Sequence, residues 1–462
     1  MTTVIAIDDK LCTGCQECSK VCPNLAIEGL PHQPQKINET KCVMCGQCVQ
    51  KCKSYVSVAE HGFGSHAKIR KERGLPETVV EPLFAAYNVT HLDEVLRALE
   101  DPKVETWVQS APAVRVGIAE DFGAPLGTLA AGKLAAGLRR LGFDKVFDVN
   151  YAADVTIMEE GSELIDRVTN KGLLPMFTSC CPAWVRYLEL NYPELRHHLS
   201  TTKSPQQIQG ALLKTYGAKT QKVEAKKIFS VSIMPCTCKQ YESSRPEMVD
   251  SGYRDVDVVI TVRELAYLLK LKGIDFLSLP DEKYDLPMGD YTGAAEIFGV
   301  TGGVMEAALR TGYELITGQA IPAVDIKAAR GSDGYREADI QVGDLTLKIG
   351  IVTGLKNVKP VMEALKAGKL DRHFVEVMTC PAGCVTGGGQ PKLVLDKDFD
   401  EAYQNRAAAT YAHDLELPIR KSHENPSVKK LYDTFLKKPL GEESHKLLHT
   451  TYCGDAKSHH SH

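Results

Sequence analysis

From Trp107 onward the apolar positions of the chain switch repeatedly between two periods. Short apolar runs at Val114–Ile118, Lys145–Val149, Leu174–Phe177, Ile228–Ile233, Val256–Ile260, Lys348–Val352 and Phe374–Met378 predict strands. Between them, apolar residues three and four apart predict helices over Leu126–Leu141 (stopped by Gly142), Ala153–Val168, Trp184–Leu190, Pro205–Tyr216, Val262–Lys270, Val304–Thr317 and Val358–Lys366. Strands alternating with helices of this length predict an α/β fold of lobes with mostly parallel sheets.

The flanks follow other patterns. Residues 1–60 are dominated by cysteine and turn residues and form a first module. A segment of mixed charge, 61–106, reads as a helical linker, in which His-Leu-Asp-Glu-Val-Leu-Arg-Ala-Leu-Glu (91–100) has helical apolar spacing. The α/β body takes 107–417. The tail, 418–462, is helical and charged, with His423, His445 and His449, and its final Lys-Ser-His-His-Ser-His reads as unstructured. A length of 462 residues agrees with about three domains.

Composition narrows the function. Hydrophobic residues make up 43% and charged residues 25%, as in ordinary globular chains, and the net charge of -4 with no basic stripe argues against a nucleic-acid binder. No apolar run approaches the ~20 residues that cross a bilayer. Met1 to Lys10 shows neither a basic start nor an apolar stretch, so the expected location is the cytoplasm. Fifteen cysteines stand out: eight in the first 52 residues, six in three tight groups between Cys180 and Cys384, and Cys453 alone. Clustered this way in a large chain, they point to metal rather than disulfides.

The first module holds Cys12-x2-Cys15-x2-Cys18-x3-Cys22-Pro23 and Cys42-x2-Cys45-x2-Cys48-x3-Cys52. This is the spacing of bacterial two-cluster ferredoxins, in which the fourth cysteine of each run serves the other cluster. One [4Fe–4S] cubane takes Cys12, Cys15, Cys18 and Cys52; the other takes Cys42, Cys45, Cys48 and Cys22. The module is therefore expected to be an α+β ferredoxin-like domain. Two zinc sites would also use cysteines, but two complete runs favour iron–sulfur. The second run departs from the pattern in carrying Lys53 where a proline commonly follows.

The later cysteines each follow a predicted strand, and ligands in open α/β sheets gather at carboxyl ends of strands, so three loops can converge on one cofactor. They read Thr178-Ser-Cys-Cys-Pro-Ala-Trp184, Met234-Pro-Cys-Thr-Cys-Lys-Gln-Tyr-Glu242 and Glu376-Val-Met-Thr-Cys-Pro-Ala-Gly-Cys-Val-Thr-Gly-Gly-Gly-Gln-Pro391. In order and separation they resemble the three signature motifs of the [FeFe] (iron-only) hydrogenase family. The resemblance extends from Cys12 to about Tyr452 and includes a tail that some members carry as a separate small subunit.

The resemblance implies a two-lobed catalytic domain that interconverts H2 with protons and electrons. Cys181, Cys236, Cys380 and Cys384 would hold a third [4Fe–4S] cubane, with Cys384 bridging to a diiron subcluster that carries CO, cyanide and azadithiolate. Lys239 matches the lysine that donates to a cyanide, where an ammonium suits a compact anionic acceptor. Met234 and Met378 match methionines packed on the diiron unit, where a soft thioether fits. Ala111, Pro112 and Phe298 match further pocket residues. Ala113 replaces a serine that many relatives carry, and Gly387–Gly389 allow close backbone approach. Cys238 stands where relatives have a small non-thiol residue and reads as a buried bystander.

A buried cluster needs a route for protons. Cys180 lies outside the four-thiolate set, and a thiol of ordinary pKa about 8.5 can relay protons if its surroundings tune it. In Thr156-Ile-Met-Glu-Glu-Gly-Ser-Glu-Leu-Ile-Asp-Arg167, Glu160, Glu163 and Arg167 share one helix face. In the family the matching positions, with Ser200, form the relay to the surface; otherwise they are an ion-paired solvated face.

Three functions fit the resemblance. Non-catalytic relatives in cytosolic iron–sulfur assembly lose parts of these loops, whereas Cys180, Lys239, Met378 and Cys384 are present here. A hydrogen sensor would be expected to carry a sensory or kinase extension. A catalytic subunit passing electrons to an electron-carrier protein or to iron–sulfur subunits fits best, because no nucleotide fingerprint is visible. The larger machine would be a bifurcating complex or a formate dehydrogenase-linked one (a hydrogen-dependent CO2 reductase).

Overall fold

In the computed structural model, residues 4–75, 81–393 and 396–452 are described. Cys453 and the histidine-rich end lie outside them. Two four-stranded sheets organise the body. In the first, Val258–Thr261, Ile228–Met234, Glu105–Ser110 and Lys145–Asp148 lie side by side, all parallel. In the second, the order is Tyr335–Val342, Leu345–Thr353, Phe374–Met378 and Met176–Phe177, parallel except for the first, antiparallel pair. The structure thus agrees with the expected two-lobed α/β class.

Buried strands of this kind are covered on both faces. Val108, Val146, Val231 and Ile260 are fully buried in one lobe and Ile349, Val352, Val375 and Val377 in the other. Helix Val149–Thr169 begins at the Asp148 cap, whose side chain accepts from the Asn150 amide at 2.9 Å. It packs against Pro205–Leu212 and Gly303–Thr317, bringing the lobes together.

Three local expectations are corrected. Val114–Ile118 is not a strand: it forms 3₁₀ turns around Pro112–Val114 and Ile118–Phe122, and the strand lies earlier, at Glu105–Ser110. A short apolar run is apolar whenever it is buried on all sides, whatever its backbone. The helix expected from Leu126 begins at Ala131, and it does end at Gly142, which takes the left-handed conformation (φ 105°) that favours glycine. The linker is not helical throughout. Helices Val58–Glu72 and Leu92–Glu100 are present, but between them Leu83–Phe84 and Ala86–Asn88 pair with Tyr55–Val56 and Ile5–Ile7. The linker thereby closes the first module.

Two elements were not anticipated. Tyr335–Val342 forms a hairpin with the next strand through Gly343-Asp344, a turn legible in the alternation on both sides. Helix Asp396–Glu416 precedes the expected helical tail. Its Asp414 accepts two hydrogen bonds from fully buried Arg310, at 2.9 and 2.8 Å.

The first module repeats itself. Each cysteine run continues into one short helix, Glu17–Val21 or Gln47–Lys51. Left-handed residues recur at matching places: Gly14 and Met44, then Gln16 and Gly46. Among the described residues no helix is long and apolar enough to cross a membrane.

Candidate active site

The three cysteine loops leave the carboxyl ends of strands Met176–Phe177, Ile228–Met234 and Phe374–Met378, drawn from both sheets. A fourth loop, Ala111-Pro112, leaves Glu105–Ser110. They enclose a cavity of about 80 Å³ between the lobes. Cys181, Cys236, Cys380 and Cys384 all line it, as does Cys180. The remaining walls include Met234, Met378, Lys239, Ala111, Pro112 and Phe298. Every pocket residue expected from sequence therefore meets in one space. Ala113, behind this wall, is fully buried beside Gly299.

The donor set fits an iron–sulfur cluster. Burial first, then the charges of neighbouring thiols, push Cys236 up to about 11, Cys384 up to about 12 and Cys380 well above the ordinary thiol range. Three thiols raised in this way are an unfavourable arrangement on their own, and metal binding, which takes the deprotonated form, relieves it. Gly383 (φ 92°) and Gly387 make the close approach possible. A Cβ at Gly383 would stand 2.6 Å from the Thr301 amide, and one at Gly387 2.1 Å from the Pro235 carbonyl.

Lys239 projects from helix Cys238–Ser243 into the same cavity. Its ammonium donates to the Cys180 carbonyl at 3.1 Å and to both oxygens of Glu242, at 2.9 and 3.1 Å. Burial opposes its charge, but Glu242 outweighs burial and holds Lys239 above the usual lysine range. Glu242, three residues on, was not anticipated, although its spacing on a helix could have revealed it. Cys238 is fully buried with its thiol against the Val43 carbonyl at 3.2 Å, outside the cavity lining.

Glu160, Glu163 and Arg167 lie along helix Val149–Thr169, and Ser200 faces them from the loop after Pro193–His198. Ser200 donates to Glu163 at 2.7 Å, and Arg167, near the surface, donates to Glu163 at 2.6 Å and to the Leu199 carbonyl at 2.9 Å. Deeper in, Glu160 is almost fully buried and its Oε2 has no hydrogen-bond partner. Burial first, then the charge of Glu163, push the Glu160 carboxyl up to about 8. Burial and the charge of Glu160 raise the Cys180 thiol well above its ordinary value. Cys180 lines the cavity, Glu160 lies within electrostatic reach of it, and Ser200, Glu163 and Arg167 continue toward the surface by hydrogen bonds.

The first module sits against the cysteine loops. Cys45 borders the large cavity, whereas Cys12, Cys15, Cys18 and Cys52 line a small separate one of about 10 Å³. Cys18 feels the charges of Cys52, Cys12 and Cys15, and Cys48 feels chiefly those of Cys45, Cys42 and Cys22. The fourth cysteine of each run thus stands with the first three of the other. Cys15 is exposed.

Known proteins share this arrangement. The family described as "Iron only hydrogenase large subunit, C-terminal domain" matches residues 104–388, "Iron hydrogenase small subunit" matches 400–454, and "4Fe-4S dicluster domain" matches 4–53. The chain is 47% identical over 433 residues to the NADP-reducing hydrogenase subunit HndD of Solidesulfovibrio fructosivorans, covering 89% of this chain and 73% of that one. It is 46% identical over 391 residues to the periplasmic [Fe] hydrogenase large subunit of Nitratidesulfovibrio vulgaris, covering 84% and 86%. Its structure resembles [FeFe]-hydrogenase HydA1 from Chlamydomonas reinhardtii with a TM-score of 0.69 at 42% identity, covering 78% of this chain and 98% of that one. The cofactors of such a chain are an H-cluster, with its diiron subcluster, and ferredoxin-type iron–sulfur clusters. On its sequence, its cysteine loops and its fold, the chain belongs to the iron-only ([FeFe]) hydrogenase family.

Proposed function

We propose that the chain interconverts H2 with protons and electrons at the cavity between the lobes, as the catalytic subunit of a larger electron-transfer assembly. The observation that carries this reading is the row Cys180, Glu160, Ser200, Glu163 and Arg167, which joins that cavity to the surface beside four converging cysteines. When bound, the iron group supplies the centre at which hydrogen is split or formed. Cys181, Cys236, Cys380 and Cys384 would hold it, while Lys239, Met234, Met378, Ala111, Pro112 and Phe298, which line the same cavity, would surround it by packing and, at Lys239, by hydrogen bonding.

The protein's own residues move the proton. Cys180, next to a ligand but outside the ligand set, passes it to or from Glu160. Glu160 has one oxygen free of partners, so it can accept or give a proton without first breaking a hydrogen bond. Ser200 carries it to Glu163, and Arg167 holds Glu163 in place at the surface end. A positioned acid–base group of this kind contributes about 10²–10⁴-fold.

Electrons leave by the other side. Three cubanes would serve it: one at the cavity, one inner cluster on Cys42, Cys45, Cys48 and Cys22, and one outer cluster on Cys12, Cys15, Cys18 and Cys52. Exposed Cys15 marks the outlet, toward an electron-carrier protein or an iron–sulfur subunit. The chain then divides into the dicluster module (1–60), linker (61–106), catalytic domain (107–417) and small-subunit-like tail (418–462). One relative is named as NADP-reducing, so a nicotinamide-linked partner in the cytoplasm suits the chain, with a formate dehydrogenase-linked complex as the second reading.

Infrared spectroscopy of the matured chain tests the activity reading. CO and cyanide bands together with viologen-linked H2 uptake are expected; their joint absence overturns it. Purification from the native cells with bound subunits decides between the partners.

A further inference from the structure

The second cysteine run carries more than cluster ligands. Its helix, Gln47–Lys51, turns two buried amide side chains onto the Cys380–Gln390 loop of the catalytic domain. Gln47 Nε2 lies 3.3 Å from Cys380 Sγ and 3.1 Å from the Thr386 carbonyl. Gln50 Nε2 donates only to backbone, to the carbonyls of Gly387 at 3.2 Å and Gln390 at 2.8 Å. The approach is close everywhere. Thr237 donates to the Met44 carbonyl at 2.7 Å, and a Cβ at Gly388 would stand 2.4 Å from the Cys45 carbonyl. Gln47 is thus held between Cys45 and Cys48 of one cluster site with its amide against a cysteine of another.

We infer that Gln47 raises the reduction potential of the cubane in the catalytic domain through its hydrogen bond to Cys380. The inference rests on the ligand assignments of the proposed function. Cys380 bound to iron is a thiolate, and an amide N–H pointing at a thiolate stabilises the more negative, reduced cluster. Gln47 therefore raises the potential of that cubane relative to the same site without a donor. A catalytic domain without this module would lack the donor, so the module tunes the active site.

The test uses the full chain, produced without maturation so that only cubanes assemble, with anaerobic redox titration followed by electron paramagnetic resonance. Gln47→Leu is expected to keep the iron content of the parent chain and to shift the midpoint of the catalytic-domain cubane to a more negative potential. Gln47→Glu, which keeps the length but replaces the donor with a negative charge, should shift it further in the same direction. Gln50→Leu should leave that midpoint in place, because Gln50 touches no sulfur. In the matured chain, the CO and cyanide bands of the reduced-cubane state should appear at a more negative applied potential for Gln47→Leu. An unchanged midpoint in an iron-replete Gln47→Leu protein overturns the inference. So does loss of the catalytic-domain cubane in both Gln47 variants, which would make Gln47 a structural tie. Absence of that cubane from the parent chain itself would instead overturn the ligand assignments.

Discussion

Glu159 and Glu160 are neighbours on one buried helix and have opposite protonation environments. Glu159 faces the tail, where Tyr432 donates to it at 2.6 Å, the Leu440 amide at 2.8 Å and His449 Nε2 lies at 3.1 Å. Burial works against its charge, but His449 and these other donors hold it below the usual carboxylate range. Glu160 faces the cavity side, keeps an oxygen without a partner, and is pushed up to about 8. One residue of rotation along the helix separates an anchor for the tail from a group poised to exchange protons.

This difference gives a pH prediction. Glu160 should be protonated in the folded chain at neutral pH and ionise as the pH rises through about 8. Its pKa lies above the ordinary 4.5, so the folded state binds the extra proton between those values and stability falls with rising pH across that window. Difference infrared spectra of the unmatured chain should show a carboxylic acid band that disappears above pH 8. Glu160→Gln should remove the band. A band that persists in Glu160→Gln belongs to another group and refutes the assignment.

Cys180 and Cys181 should separate by role. Cys180→Ala is expected to keep iron content and the CO and cyanide bands while turnover falls by about 10²–10⁴-fold. Cys181→Ala should lose the cluster. Cys180→Asp should recover part of the rate, since a carboxyl can relay between the cavity and Glu160. Iron analysis with H2-dependent dye reduction checks all three, and normal turnover of Cys180→Ala would end the relay proposal.

The docking of helix Asp396–Glu416 on the rest of the body should depend on Arg310. Fully buried, it donates twice to Asp414 and once to Glu306, at 2.8 Å. Asp414→Ala leaves a buried guanidinium without its main partner, a change that costs about 3–5 kcal/mol. Anaerobic denaturant unfolding should show the loss. A cost under about 1 kcal/mol would mean that Glu306 and water satisfy the guanidinium without Asp414.

Gly388→Ala should loosen the first module from the active-site loop. The added carbon would meet the Cys45 carbonyl and Gly46 Cα (2.6 Å), both backbone atoms that cannot swing aside. Overpacking of this kind costs about 1–3 kcal/mol. Electron exchange through the module should slow, while direct dye-linked H2 oxidation at the catalytic domain persists. Equal losses in both assays would place the damage in the active-site loop itself.

Much of this protein is local and was legible in its sequence. Cysteine spacing specifies how a short loop wraps a cluster, and alternating periods specify strands and helices, because both depend on residues a few positions apart. Phe374–Met378 is a strand over the residues expected, and Val358–Lys366 a helix. The three loops that meet in one cavity were legible as motifs at strand ends. Other features depended on contacts between distant residues. Val114–Ile118 looked like a strand because it is apolar, and it is apolar because the fold buries it from every side. Nothing near Gln47 announces that 333 residues later its amide will find Cys380. Nor does sequence distinguish Glu159 from Glu160 until the tail docks on one and the cavity opens beside the other. Sequence determined the elements and the donor set; packing of the module and the tail onto the body decided which side chains those donors face, because desolvation and hydrogen bonding are set by neighbours in space rather than in the chain.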